Sequence, residues 1–299
     1  MVEYDEFGLF HENAEEFGVP WNGAPRVART SVDVGGGRRV SALKWGDAEP
    51  EVVLLHGGAQ NAHTWDTVAL ALGRPLVAID LPGHGHSNHR DDHAYWPAEN
   101  AEAVEVAVRE LAPRNRLVVG MSLGGLTAVA LAARAPDVVP ALCLVDVTPG
   151  VNHEKASSIM QFVDGPEFFE SFDEILQRTI AFNPTRSESS LRRGVLHNAV
   201  EAGDGRWRWR YDLPRRGSGE GDDGAVLPGL DALWDAIAKI DVPLTLARGA
   251  LSPVVSDEDV AELQRRNPKA RVEVVEGAGH SIQGDKPIEL ARLIEALLR

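Results

Sequence analysis

Cysteine is almost missing from this chain of 299 residues. Cys143 stands alone, so no internal disulfide can form. It sits in the apolar run Ala141-Leu142-Cys143-Leu144-Val145, where a thiol reads as a small buried hydrophobe, not a reactive group. Long apolar runs are missing too: no stretch approaches the about 20 residues that a membrane helix needs. The N-terminus has neither the basic start nor the apolar core of a secretory signal, so a soluble, cytoplasmic protein is expected. Basic charge is scarce, with 30 Lys and Arg against 45 Asp and Glu and a net charge of −15. Such a surface repels phosphate backbones and anionic lipid. The expected partner is therefore a small molecule, with no nucleic acid and no membrane. Polyanionic substrates are disfavoured as well, unless a local basic pocket overrides the global field. Self-association into a homo-oligomer stays open. Internal repeats and low-complexity runs are also missing.

What is present suits one substantial α/β domain with a subdomain, since 43 % of the residues are hydrophobic. β-type runs recur at 27–34, 40–45, 52–56, 75–80, 117–121, 141–146, 242–248 and 272–276. The first two are joined by Gly35-Gly36-Gly37, a hairpin signal. The later runs are continuously apolar, as in strands buried on both faces of a parallel sheet. Helical periodicity fills 97–112, 123–135 and 287–298, with Ala101, Val104, Ala107, Val108 and Leu111 sharing one face of the first. Strand–helix alternation of this kind gives a doubly wound, mostly parallel sheet of eight strands.

The alternation breaks once. Residues 151–229 show no strand run; Phe162, Phe168, Phe169, Phe172 and Ile175 are followed by Trp207, Trp209 and Tyr211, then by a glycine- and charge-rich patch at 215–224. A helical cap inserted between strands six and seven is expected, with 26–150 and 230–299 as the core. Its aromatics are either that subdomain's own core or a pocket lining. Arg206-Trp207-Arg208-Trp209-Arg210 reads as a strand-like or helical edge with solvated guanidinium groups. Residues 1–25, which carry Glu3, Asp5, Glu6, Glu12, Glu15 and Glu16, read as an irregular acidic extension.

The strongest local signal is Gly120-Met121-Ser122-Leu123-Gly124-Gly125, placed after an apolar strand and before a helix. That is the context of a nucleophile elbow. Larger residues at the flanking glycines would collide with neighbouring backbone, and the helix N-terminus favours developing negative charge. A serine hydroxyl needs a base. Glu276-Gly277-Ala278-Gly279-His280-Ser281, directly after the last strand run, supplies one in His280. Acyl transfer also needs two donors for an oxyanion: the amide of Leu123, and one from His56-Gly57-Gly58, most naturally Gly58. His56 itself reads as structural, its ring bonding the loop backbone. His84, His86, His89 and His93 lack the carboxylate-flanked spacing of a metal site, so no metal and no organic cofactor is expected.

Together with Asp80-Leu81-Pro82-Gly83-His84-Gly85-His86-Ser87, these motifs resemble the α/β-hydrolase superfamily over residues 27–299. The resemblance implies the α/β-hydrolase fold and a Ser-His-acid triad, with the 80–87 turn shaping the pocket floor. The acid is where this sequence departs. Relatives usually carry it after the penultimate strand, in a place that here falls on Ser252 of Arg248-Gly249-Ala250-Leu251-Ser252-Pro253. Asp257 and Glu258 follow, but with Ser256 and Asp259 they look like the capped first turn of a helix. Asp146, followed by Val147-Thr148-Pro149 after the sixth strand, is the alternative, as in a small esterase subgroup that this chain resembles at both places.

Serine, not aspartate, at the elbow excludes the alkyl-enzyme chemistry of dehalogenases and epoxide hydrolases. Hydrolysis of a small carboxylic ester, thioester or lactone is the expected reaction. C–C bond hydrolysis, cofactor-free perhydrolysis, lyase or cyclase chemistry, and a non-catalytic small-molecule receptor are the alternatives on the same fold.

Overall fold

The computed structural model describes residues 4–151, 153–184, 186–212 and 229–299. Its main sheet has eight strands: β1 (Val27–Gly35), β2 (Arg38–Trp45), β3 (Val52–Leu55), β4 (Leu76–Ile79), β5 (Leu117–Met121), β6 (Leu142–Val145), β10 (Leu244–Gly249) and β11 (Arg271–Val275). Their spatial order is β1-β2-β4-β3-β5-β6-β10-β11. The hairpin β1–β2 and the pair β2–β4 are antiparallel, and every other pair is parallel. This is the doubly wound α/β-hydrolase sheet that the apolar runs predict.

The central strands β3, β4, β5 and β6 are buried at every residue, because helices cover both faces. On one face lie α3 (Pro97–Leu111), α4 (Leu123–Arg134) and α8 (Leu230–Lys239). On the other lie α2 (Asp66–Leu72) and α11 (Pro287–Leu297). α9 (Asp257–Arg266), after β10, packs Leu263 into the first layer, and the short α10 (Ile282–Asp285), after β11, packs Ile282 into the second. β11 departs from the expectation of two buried faces. As the edge strand it leaves Arg271, Glu273 and Val274 exposed, Val274 by 52 %. Cys143 is fully buried and its thiol is pushed up to about 12 by that burial, so it is inert.

Two expectations are corrected. The N-terminal extension is not irregular: α1 (Phe10–Phe17) packs Phe10 against Trp45, with ring centroids 4.9 Å apart. Its acids are counter-ions more than free surface charge, since Glu6 binds Arg29 while Glu12 and Glu16 bind Arg193. The insertion after β6 is not wholly helical either. α5 (His153–Val163), α6 (Phe172–Phe182) and α7 (Glu188–Asn198) accompany a small antiparallel sheet of β7 (Phe168–Phe169), β9 (Trp207–Trp209) and β8 (Ala199–Glu201). Strands of two or three residues are too short to show alternation in sequence. Phe169, Trp209 and Tyr211 form a core with Ile175, Leu176 and Leu191. Arg206 lies over the Phe168 ring, Arg208 is exposed and Arg210 is partly buried. The 215–224 patch lies outside the described residues. No helix among those described is long and apolar enough to cross a membrane.

Candidate active site

Ser122 leaves β5 and enters α4 at φ 51°, ψ −119°, a positive φ that non-glycine residues rarely adopt. Its amide still donates to Val145 O at 3.2 Å, and its carbonyl accepts from Gly125 and Leu126, so the bend is held from both sides. The glycines have a steric reason. A Cβ on Gly120 would stand 2.4 Å from Gly124 O, and one on Gly124 would stand 2.4 Å from Leu55 O and 2.5 Å from His56 O. The helix therefore crosses its own strand and β3 at backbone contact. Gly124→Ala should cost about 3 kcal/mol of stability, since overpacking against backbone has no side chain to give way. Gly194→Ala in α7 meets nothing within 4 Å and is the neutral or stabilising control. Urea midpoints measure both; equal midpoints would mean that the crossing is looser than its contacts imply.

Asp146 ends β6, beside Ser122 in the parallel register that pairs Met121 with Val145. It too has a positive φ, 50°, and is fully buried. His280 follows β11 and donates from Nδ1 to Asp146 Oδ2 at 2.8 Å. Gly249 N donates to Oδ1 at 2.9 Å, and the Ser252 hydroxyl donates to the same Oδ2 as His280. Ser252 is a contact that sequence reasoning missed. The vacant place of the usual acid was visible, yet the reach of its hydroxyl back to Asp146 was not. Asp257 and Glu258 lie in the first turn of α9, capped by Ser256 with Asp259, and Asp257 points into solvent against Arg248. They serve the start of the helix.

The loop after β3 brings Gly58 next to Leu123, whose Cδ2 lies 3.9 Å from the position of a Gly58 Cβ. Buried His56 donates from Nδ1 to Gly57 O at 2.7 Å and accepts at Nε2 from Leu81 N at 2.9 Å. Burial pushes its pKa down, which fits that neutral ring. His84 is held the same way: Nδ1 donates to Pro82 O and Nε2 accepts from Ala59 N at 3.1 Å. Burial, then the neighbouring His56, pushes His84 down to about 3. The 80–87 turn thus props the loop after β3, and with both nitrogens committed His84 is no metal ligand. Ala59, next to Gly58, is a third non-glycine residue of positive φ in this neighbourhood. Unusual backbone clusters where side chains and amides must be aimed.

One group among the described residues could offer ligands to a metal ion: His63, Asp66 and His197, with donor atoms within 4.8 Å of one another. Its rings stack at 3.8 Å and 9°. Their in-plane lone pairs therefore lie in two nearly parallel, separated planes and cannot both aim squarely at one ion, as shared coordination requires. Burial alone would lower His63; the carboxylates of Asp66 and Glu6 outweigh it and raise the ring to about 9. The group reads as a charge network that binds the N-terminal segment to the core.

A tight strand–Ser–helix turn at the end of β5, with Asp at the end of the adjacent β6 and His in the loop after β11, defines the α/β-hydrolase class. The sequence pattern of the Alpha/beta hydrolase family matches residues 52–293, and the chain belongs to that family. It is similar to Esterase Rv0045c of Mycobacterium tuberculosis, 47 % identical over 306 residues, covering 100 % of this chain and 97 % of the relative. A solved structure of that esterase superposes with a TM-score of 0.87 at 45 % identity, over 99 % of each chain. The chain is also similar to the sn-1-specific diacylglycerol lipase ABHD11 of Xenopus laevis, 32 % identical over 79 % of this chain and 76 % of the lipase.

Proposed function

We propose that this protein hydrolyses a small carboxylic ester through an acyl-enzyme, with Ser122, His280 and Asp146 as its triad. The observation that carries the reading is the 2.8 Å bond from His280 Nδ1 to buried Asp146, which ends β6, the strand beside the one that carries Ser122. That bond fixes the tautomer and leaves Nε2 to take the serine proton. Ser122 Oγ attacks the carbonyl carbon while His280 removes its proton. The Leu123 and Gly58 amides hold the oxyanion. Collapse expels the alcohol, protonated by His280. Water, deprotonated by the same imidazole, then attacks the acyl-enzyme, and the acid leaves as Ser122 recovers its proton. Thioesters and lactones follow the same route. The described part of the insertion, 153–184 and 186–212, acts as a cap beside this site, and the names of the two relatives favour esters over the other reactions of the fold.

A fluorophosphonate probe should label the protein stoichiometrically at Ser122, and p-nitrophenyl esters should turn over. Neither labelling nor turnover would favour a small-molecule receptor that keeps the pocket without the reaction.

A further inference from the structure

Beside the triad lies a chamber of about 180 Å³ between the core and the insertion. A cavity of this size takes a group about as large as benzene. Gln60, Asn61 and Gln283 line it from the core, and Asn183, Arg186 and Ser190 from the insertion. It adjoins the reaction centre. Gln60 Oε1 and Ser122 Cβ both lie within 3.3 Å of the point that a Cβ on Gly57 would occupy. Gln283 Nε2 donates to Gln60 Oε1 at 3.4 Å, and Ser281 in the wall follows His280 directly.

Arg186 is the anomaly in that wall. Its Cζ lies 3.0 Å from the Cβ position of Gly284, four residues after His280. One Nη2 hydrogen bond goes to Ser190 Oγ at 2.6 Å, while Nε is buried with no partner. No carboxylate among the described residues forms an ion pair with it. Asp285 is occupied by Gly279 N at 2.9 Å, and Glu16 is bound by Arg193. Arg193, the other guanidinium in the wall, is neutralised by Glu12 and Glu16. Burial accordingly pushes Arg186 below its ordinary pKa, with Asp285 and Glu16 offsetting it only at longer range. A half-buried cation whose buried Nε has no partner and which forms no ion pair is costly, and in a binding chamber the missing anion is naturally a ligand's.

We propose that Arg186 is a specificity-determining residue that receives a carboxylate at the far end of a short acyl chain. This rests on the esterase reading and deepens it. A contact to the acyl part persists through both half-reactions, whereas one to the alcohol is lost when the acyl-enzyme forms. The chain's net charge of −15 disfavours anions globally, so such a preference has to come from a local cation.

The test compares p-nitrophenyl hydrogen glutarate with p-nitrophenyl pentanoate. The wild-type protein should favour the anionic ester by about 10- to 100-fold in kcat/KM, the range of a charge-assisted hydrogen bond. Arg186→Gln should abolish that preference and Arg186→Lys should keep part of it. Equal or better turnover of pentanoate by the wild type overturns the inference while leaving the esterase reading intact, and does so even if Arg186→Gln fails to fold. A preference that survives in a folded Arg186→Gln protein overturns it equally. Turnover of neither ester counts against the esterase reading itself.

Discussion

Ser122→Ala, His280→Ala and the double variant should each lower kcat by about 10⁶-fold, the double variant no further than either single one. The expectation follows from how the two groups are held. Ser122 is fixed by the turn at φ 51° and by its bond to Val145 O. His280 is tied at Nδ1 by Asp146, so Nε2 is its free nitrogen. A hydroxyl without the base is a weak nucleophile, and a base without the hydroxyl has no proton to take. Removing either therefore removes the covalent route entirely. What survives is the slow reaction promoted by oxyanion donors and binding alone. Steady-state rates at saturating p-nitrophenyl ester measure it. Losses that add in the double variant would mean the two side chains act independently, and the acyl-enzyme route would fall.

Much of this was legible in the chain because the central strands are buried on both faces and so read as unbroken apolar runs. The elbow was legible because its glycines answer a backbone collision that any such turn must avoid. Other features depend on contacts that no local pattern encodes. Ser252 meets Asp146 across 106 positions. The acids at the N-terminus look like a repulsive surface in sequence, yet Glu6, Glu12 and Glu16 neutralise Arg29 and Arg193. Arg186 stands alone in a polar stretch, and only the chamber around it gives it a meaning. β11 lies at an edge, and Arg271 and Glu273 among its five residues already break the apolar run, so its exposed face was there to be read.

Asp146→Asn should lower kcat by about 10⁴-fold with little change in KM, the loss seen when an orienting carboxylate becomes an amide. Asn can present an amide N–H to Nδ1, which favours the wrong tautomer and places a proton on Nε2, where the serine needs an acceptor. The same change disturbs the Ser252 and Gly249 bonds, since both end on this carboxylate. Ser252 offers a repair. Its hydroxyl and the His280 imidazole bond the same oxygen, Asp146 Oδ2, and are therefore near neighbours. A carboxylate placed there would restore the arrangement that the family more commonly uses. Asp146→Asn/Ser252→Asp should accordingly recover at least about 10-fold over Asp146→Asn, while Asp257→Asn, on a side chain 88 % exposed, should change nothing. Near-normal turnover in Asp146→Asn, or a large loss in Asp257→Asn, would move the acid to the start of α9. Failure of the double variant alone would show instead that the loop around Ser252 cannot aim a longer side chain at the imidazole.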